Sequence, residues 1–295
     1  MKEDLKEENK NLKCTIEGNA WKKMTPDEKY NLAGRLMKSV SSIRNYTIAF
    51  SGGKDSCLLE RIAIDFNVKV DKVHNVTTID PEGTIALCLR HGCTLNRNKL
   101  TFLDLVEKKG MPTMFRRFCC KELKEKYISD YLFTGVRKNE SVKRDKRYTC
   151  FEDSYVYSKK VVTSRFHPLL WFTDEDVAYL VNSHQIECHG LYYDHEGKFC
   201  VERRLGCIGC PLQGDRGKME YLMYPKLLKQ VILRLIKFHE NHGRTAHDAY
   251  LNAAYNLFYS NHGYEKYTQS FDGLFENDPK KMLEEYFFID LPPSE

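Results

Sequence analysis

A short apolar strand that runs into two glycines and then into a helix leaves a chain few ways to fold. Tyr46-Thr47-Ile48-Ala49-Phe50 is rich in β-branched and aromatic residues and reads as a buried strand. Ser51-Gly52-Gly53-Lys54-Asp55-Ser56 follows it, residues 57–66 repeat apolar positions with helical period, and residues 69–78 read as a second strand. Strand, glycine turn, helix and strand make a βαβ unit, whose crossover implies a parallel sheet. Further strands are expected at 100–103, 131–136 and 160–166, and helices at 81–91, 118–127 and 173–183. Before the unit, Thr25-Pro26-Asp27-Glu28 carries a capping signal with proline at the first helical position, opening a helix to about Ile43. Past Gly214 the pattern turns helical at 218–240, 245–258 and 279–287. The expected fold is therefore α/β, a doubly wound and mostly parallel sheet with a helical C-terminal subdomain. Residues 1–24 form a polar lead, 25–214 the α/β domain and 215–295 the helical subdomain.

The glycine turn has a chemistry of its own. Glycines let backbone N–H groups approach an anion with no side chain between, and the helix that follows presents unpaired donors and partial positive charge. Ser51 and Ser56 add hydroxyl donors and Lys54 a mobile charge, while Asp55 suits holding the loop or binding Mg²⁺. A plain Gly-Gly turn is the bland alternative, and six matching residues between strand and helix outweigh it. The spacing is not that of a Walker A loop, so transfer of a γ-phosphate is not implied.

Eleven cysteines in 295 residues is a high count, and the number is odd. Residues 1–13 alternate Lys with Glu and Asp, unlike a secretory signal, and no apolar run approaches the roughly 18 residues of a membrane span. A cytoplasmic protein away from membranes is the expectation, and a disulfide framework fits poorly. Cys119 and Cys120 are adjacent, and Cys207 and Cys210 form a CxxC in which Gly209 and Pro211 suit a tight turn. Four soft thiolates suit zinc or an iron–sulfur cluster. Neighbouring cysteines point apart on regular backbone, which favours a wide multi-metal ligand set over one zinc. Packing as small hydrophobes is the ordinary alternative. Cys14, Cys57, Cys150, Cys188 and Cys200 read as packing residues, and Cys88-x-x-His91-x-Cys93 has near-ligand spacing but only three candidates.

The net charge of +5 is mild and favours anionic ligands without demanding nucleic acid. Arg116, Arg117, Lys121, Lys124 and Lys126 flank the cysteine pair; Arg137, Lys138, Lys143, Arg144, Lys146 and Arg147 form a denser run. Most of these read as solvated surface. Arg137 and Arg144 stand apart because they follow an expected core strand, where α/β folds place ligands, and guanidinium groups grip phosphate or sulfate. Tyr148, Phe151, Tyr155 and Tyr157 interleave the run, as base-stacking residues would, although core packing is the simpler account.

Ser51-Gly52-Gly53-Lys54-Asp55-Ser56 resembles the PP-loop of the adenine nucleotide α-hydrolase superfamily. Later blocks resemble its phosphoadenosine phosphosulfate reductase branch, in the branch's order. These are Thr77-Thr78-Ile79-Asp80-Pro81-Glu82, then Phe118-Cys119-Cys120 through Lys124, then Gly135-Val136-Arg137 through Ser141 with Arg144. Pro168-Leu169-Leu170-Trp171 with Asp176-Val177 follows, and Leu191-Tyr192-Tyr193 through Cys207-Ile208-Gly209-Cys210-Pro211 closes the series. The resemblance implies ATP or an adenylyl sulfate as ligand, held with Mg²⁺ by Ser51, Gly52, Gly53, Lys54, Asp55, Ser56, Thr78, Asp80 and Gly135. It implies Lys54, Asp55, Lys124, Arg137 and Arg144 as reacting-site residues. It also implies a 4Fe-4S cluster on Cys119, Cys120, Cys207 and Cys210, with zinc as the alternative.

Reductases of that branch resemble one another in a tail cysteine nucleophile, whereas residues 211–295 here contain none. The better match is to cluster-bearing relatives such as DNA-phosphorothioation sulfurtransferases and tRNA thiolases. That resemblance implies ATP-dependent adenylation and sulfur transfer, with nucleic acid as candidate substrate and a cysteine-desulfurase-type protein as sulfur donor. An adenylyl-sulfate reductase using another thiol, a non-catalytic nucleotide-binding module of a defence or DNA-modification assembly, and a zinc-stabilised adenylyltransferase remain alternatives.

Overall fold

A computed structural model describes residues 21, 23–125, 129–154, 163–259 and 278–292. Expectations for residues 1–20, Lys126, Tyr127, Tyr155 and Tyr157 lie outside them, as does Cys14. Among the described residues no helix is long and apolar enough to cross a membrane.

The chain divides into two compact units, 1–75 with 82–96 and 127–205, and 76–81 with 97–126 and 206–295. The first holds the sheet. Helix α1 (Pro26–Ser41) starts on a complete capping box, Thr25 accepting from Glu28 N and Glu28 bonding back to Thr25. Strand β1 (Thr47–Ala49), helix α2 (Lys54–Asp65) and strand β2 (Asp71–Val76) form the expected βαβ unit, with β1 and β2 parallel in the register Ile48 to Lys72. Helix α3 (Thr84–Arg90) leads to β3 (Thr94–Arg97). Strand β4 (Tyr131–Phe133) pairs in parallel with β1 on one side and with β6 (Thr163–Phe166) on the other, and β5 (Phe151–Ser154) lies antiparallel on β6. Helix α5 (Val142–Arg147) and helix α6 (Asp174–Ser183) complete the unit.

The strand order β3-β2-β1-β4-β6-β5 makes a six-stranded, mostly parallel α/β sheet. Its order reverses between β1 and β4, the switch point outside whose carboxyl ends such sheets bind ligands. The core beneath is aromatic: Phe133 stacks on Tyr46 at 4.4 Å and meets Phe166 edge-on, and Phe166 stacks on Phe151 at 4.3 Å. Trp21 is buried and stacks on Trp171. Lys29 of α1 is buried against Asp176 of α6 at 2.5 Å.

The second unit is helical. Helix α4 (Phe102–Lys109), a π-helical turn (Cys120–Lys124), α7 (Asp215–Met223), α8 (Pro225–Glu240), α9 (Ala246–Tyr259) and α10 (Pro279–Phe287) surround a core of Phe102, Leu105, Leu228, Ile232, Leu235 and Leu283.

Three expectations need correction. Residues 100–103 are not a strand: Thr101 caps α4 through a box with Asp104, and the strand lies earlier, at Thr94–Arg97. The helix expected over 118–127 is regular only at its start and then widens into the π-helical turn. The helix expected over 218–240 is two helices, because Tyr224 leaves helical conformation ahead of Pro225.

Candidate active site

The loop that leaves β1 closes on its own polar groups. Gly52 takes φ +76, a left-handed conformation that suits glycine, and a Cβ there would stand 3.1 Å from Leu87. The Ser56 hydroxyl donates to Gly53 O at 2.8 Å and accepts from Ser51 N at 3.3 Å, while Gly53 N donates to the Ser51 hydroxyl. Gly53 is the N-cap of α2, and no side chain caps that helix. Ser56 N and Cys57 N bond back to Gly53 O at 2.9 and 3.0 Å and Lys54 N bonds the Tyr192 hydroxyl, so what the loop brings to the switch point is the positive end of α2 with the Asp55 amide at its first turn.

Lys54 is buried at the start of α2, with Nζ 3.8 Å from Asp55 Oδ2 and 5.3 Å from the centre of the Tyr192 ring. The Tyr192 hydroxyl accepts from Leu205 N at 3.2 Å, which fixes the ring over the lysine. Burial first, then the nearby Asp55, pushes the Tyr192 phenol up, so it stays neutral.

At the end of β4, Gly135 lets two backbones meet. A Cβ on it would lie 2.7 Å from Asp55 Cβ and 3.2 Å from the Asp55 carbonyl carbon. Two residues on, Arg137 is 1% exposed yet carries a guanidinium. Its Nε donates to Asp55 at 2.7 Å, Nη2 to Asp174 at 2.7 Å, and Nη1 to the Phe172 carbonyl at 3.4 Å. Burial opposes the charge, but Asp55 and Asp174 outweigh it and raise the pKa further. Arg137 therefore spends its fork on the protein and braces Asp55. Arg144, on α5, pairs with Glu140, whose other bond is to Arg137 N. Lys138 sits 4.2 Å from the centre of Trp171. Of the aromatic residues in the basic run, Phe151 packs on Phe166, and Tyr148 meets His167 edge-on.

His167 is buried beside this site, its Nδ1 2.5 Å from the Thr134 hydroxyl. Burial, then Arg165 and Arg144, hold its pKa down at about 4.

Thr78, Asp80 and the four cysteines belong to the second unit. Asp80 accepts from Thr77 N and from the Thr77 hydroxyl, both at 2.8 Å, and Thr78 accepts from Phe102 N at 2.9 Å. Thr78 holds φ +65, an uncommon state for a β-branched residue, and these bonds keep it there.

Cys119 and Cys120 straddle the start of the π-helical turn; Cys207 is buried and Cys210 half-buried. The Cys119 thiol bonds the Cys120 sulfur, which raises Cys119 and lowers Cys120 to about 6, with Lys124 assisting the latter. Cys207 Sγ donates to Thr77 Oγ1 at 3.5 Å. Lys124 keeps exposed surface, but its ammonium lies among sulfurs. Burial would lower it, and Cys207, Cys120 and Cys210 together raise it. Burial and Cys207 push Cys210 up. Gly209, at φ +69, closes the CxxC turn, and a Cβ there would fall 2.1 Å from the Tyr221 ring. Burial, then Cys119, Cys210 and Cys207, push the Tyr221 phenol up, and its hydroxyl is buried without a hydrogen-bond partner. No group of three or more His, Cys, Asp or Glu among the described residues closes round a metal ion. The thiols form a wider set, electrostatically joined, with a cation beside it and a spare donor over it. Thiolates are the soft donors that an iron–sulfur group takes, and among the described residues no tight single-ion set is formed.

The other cysteines pack in the first unit. Cys57 is buried with its thiol bonded to Cys188, which with burial pushes it up. Cys88 and Cys93 are free thiols, the first hydrogen-bonding the second and lowering its pKa, and His91 Nδ1 pairs with Glu60.

Tyr192 had a signal in the sequence, standing inside a matching block, but nothing there gave it the lysine as neighbour. Asp174 had no signal, and Tyr221 lies beyond the last block.

A family model described as the phosphoadenosine phosphosulfate reductase domain matches residues 45–213. No curated protein matches the chain. Among solved structures, the phosphoadenylyl-sulfate (PAPS) reductase from Candida auris in a phosphate complex is similar at 11% identity and a TM-score of 0.42, over 62% of this chain and 96% of that one.

Proposed function

The chain belongs to the phosphoadenosine phosphosulfate reductase family, nucleotide-binding enzymes of sulfur chemistry, and from that premise we propose that it adenylates an acceptor with ATP and passes sulfur to it. The carrying observation is the uncapped α2 N-terminus at the switch point, with Lys54 beside it and Asp55 braced by Arg137. Amides of the Ser51–Ser56 loop bind the phosphates, and Lys54 offsets their charge. Asp55, held in one rotamer by Arg137 and approached closely by Gly135, orients the loop and the nucleotide's Mg²⁺. Arg144, on α5, marks the approach of an anionic acceptor.

In the reaction an acceptor nucleophile attacks the α-phosphorus of ATP, the α–β bridging bond breaks and pyrophosphate leaves. The outer persulfide sulfur of a cysteine-desulfurase-type donor then displaces AMP from the acceptor, and a thiol cleaves the resulting disulfide, leaving the sulfur on the acceptor and a new disulfide between the donor cysteine and that thiol. Nucleic acid is the acceptor class favoured by the exposed Lys143, Lys146 and Arg147. Cys119, Cys120, Cys207 and Cys210 would hold a 4Fe-4S cluster, which supplies a site for sulfur ligation or electron transfer when bound. Lys124 balances the negative charge of that thiolate set. The depressed pKa of Cys120 leaves one ligand deprotonated near neutrality.

Pyrophosphate release from Mg·ATP, with and without DNA or RNA, tests the reading. Turnover that Lys54→Ala abolishes and nucleic acid stimulates is the expected result. Tight adenylyl-sulfate binding with no pyrophosphate would point to a reductase that uses another thiol, and ATP binding without turnover would point to a binding module.

A further inference from the structure

Tyr221 is among the largest fully buried side chains in the molecule, at 1% exposure, and its hydroxyl has no hydrogen-bond partner. A buried hydroxyl left without a partner is costly, so one beside four thiols calls for an acceptor. The phenol tip lies directly over the CxxC turn. A Cβ built on Gly209 would stand 2.1 Å from Tyr221 Cζ and 2.3 Å from Oη, so the ring fills the space that glycine leaves.

The turn's own donors are already engaged. Gly209 N donates to Glu220 Oε2 at 3.1 Å, Ile208 N to Ile79 O at 2.8 Å, and Cys210 N to Cys207 O at 3.2 Å. Gln213 Nε2 also donates to Glu220, at 3.3 Å. Backbone amides often stabilise metal-bound thiolates, and hydrogen bonds to the sulfurs tune such centres. Here those three amides bond oxygen, while Leu212 N donates to the Cys210 sulfur and Cys120 N to the Cys119 sulfur. Tyr221 is a further donor, itself without a partner, beside Cys119, Cys207 and Cys210, whose sulfurs lie within electrostatic reach of it.

We propose that the Tyr221 hydroxyl is a positioning donor for the metal group on the four cysteines, giving its proton in a hydrogen bond to a thiolate or inorganic sulfide sulfur. The proposal rests on the cluster reading above. A hydrogen bond to sulfur withdraws electron density from it, which weakens the iron–sulfur bond and favours the reduced state.

The test compares wild type and Tyr221→Phe, both prepared anaerobically, by iron and acid-labile sulfide content, midpoint potential and resonance Raman spectrum. Phenylalanine keeps the ring over Gly209 and removes only the donor. The expected result is full iron in both proteins, a more negative midpoint for the variant and an upward shift of an Fe–S stretching band. Full iron in both with unchanged potential and spectrum would overturn this proposal and leave the cluster standing. A wild type without iron would overturn both. If the variant alone lost iron, thermal unfolding of the two apo-proteins decides. Equal midpoints support the lost donor as the cause, and a lowered variant midpoint overturns the proposal in favour of simple packing.

Discussion

Arg137 shows how a residue's type and place can be legible while its partners are not. A guanidinium following a core strand in an anion-binding fold suggested a grip on ligand. Its fork is directed at Asp55 and Asp174, carboxylates 82 and 37 residues away in sequence, and such pairings follow only from the folded sheet. Asp55→Ala strips a buried cation of one partner and is expected to destabilise by about 3 kcal/mol, measurable by urea unfolding; a change within experimental error would remove the brace. His167 gives a pH signature. Its folded pKa of about 4 lies below the ordinary 6.5, so the unfolded chain binds the proton more readily. This contribution to stability is complete above about pH 6.5 and is lost as the pH falls towards about 4, by up to roughly 3 kcal/mol. Unfolding free energies across that window should show the loss in wild type and a smaller one in His167→Asn. Equal slopes would place the acid sensitivity elsewhere.

At the scale of elements, boundary chemistry was the most readable part. Thr25, Thr101 and Thr173 each cap a helix through a box with an acidic third residue, and the first and third helices were expected where they lie. The second was missed because Leu100, Phe102, Leu103 and Leu105 imitate a buried strand, and Thr101 counts there as a β-former. Once Asp104 bonds back to Thr101 N at 2.8 Å, helix wins. Thr101→Ala is expected to lower stability by about 1 kcal/mol, read from the urea midpoint of unfolding. The π-helical turn was hidden for a different reason. Residues 118–124 have helical composition, and nothing in composition marks Cys120 as the point at which the backbone widens. Strand β5 was invisible because Phe151-Glu152-Asp153-Ser154 has acidic residues that suit an edge, not a core.

For the whole molecule, the parallel sheet followed from one βαβ unit, since β1, the glycine turn, α2 and β2 leave little choice of topology. The second unit's discontinuity was not readable, because residues 76–81 and 97–126 join the C-terminal helices without any linker composition to announce it. The cysteine set shares this property: both pairs were legible as pairs, but the π-helical turn under one and the buried Tyr221 hydroxyl beside the other belong to tertiary structure. Anaerobically purified protein is expected to carry about four irons per chain with a broad absorption near 400 nm. Cys207→Ser should lose both, and full iron in that variant would displace the cluster from these ligands.

Binding of Mg·ATP by isothermal titration to wild type and to Gly53→Val is the most direct measurement. Gly53 has φ −73, which valine adopts, but a Cβ there would stand 3.2 Å from the Ser51 hydroxyl and 3.4 Å from the Tyr192 hydroxyl, so the branched side chain crowds the loop that is to hold the phosphates. Affinity is expected to fall at least tenfold, or about 1.4 kcal/mol, in a variant that thermal unfolding shows to be still folded at the titration temperature. Equal affinity in the two proteins would contradict it and move the nucleotide away from the Ser51–Ser56 loop.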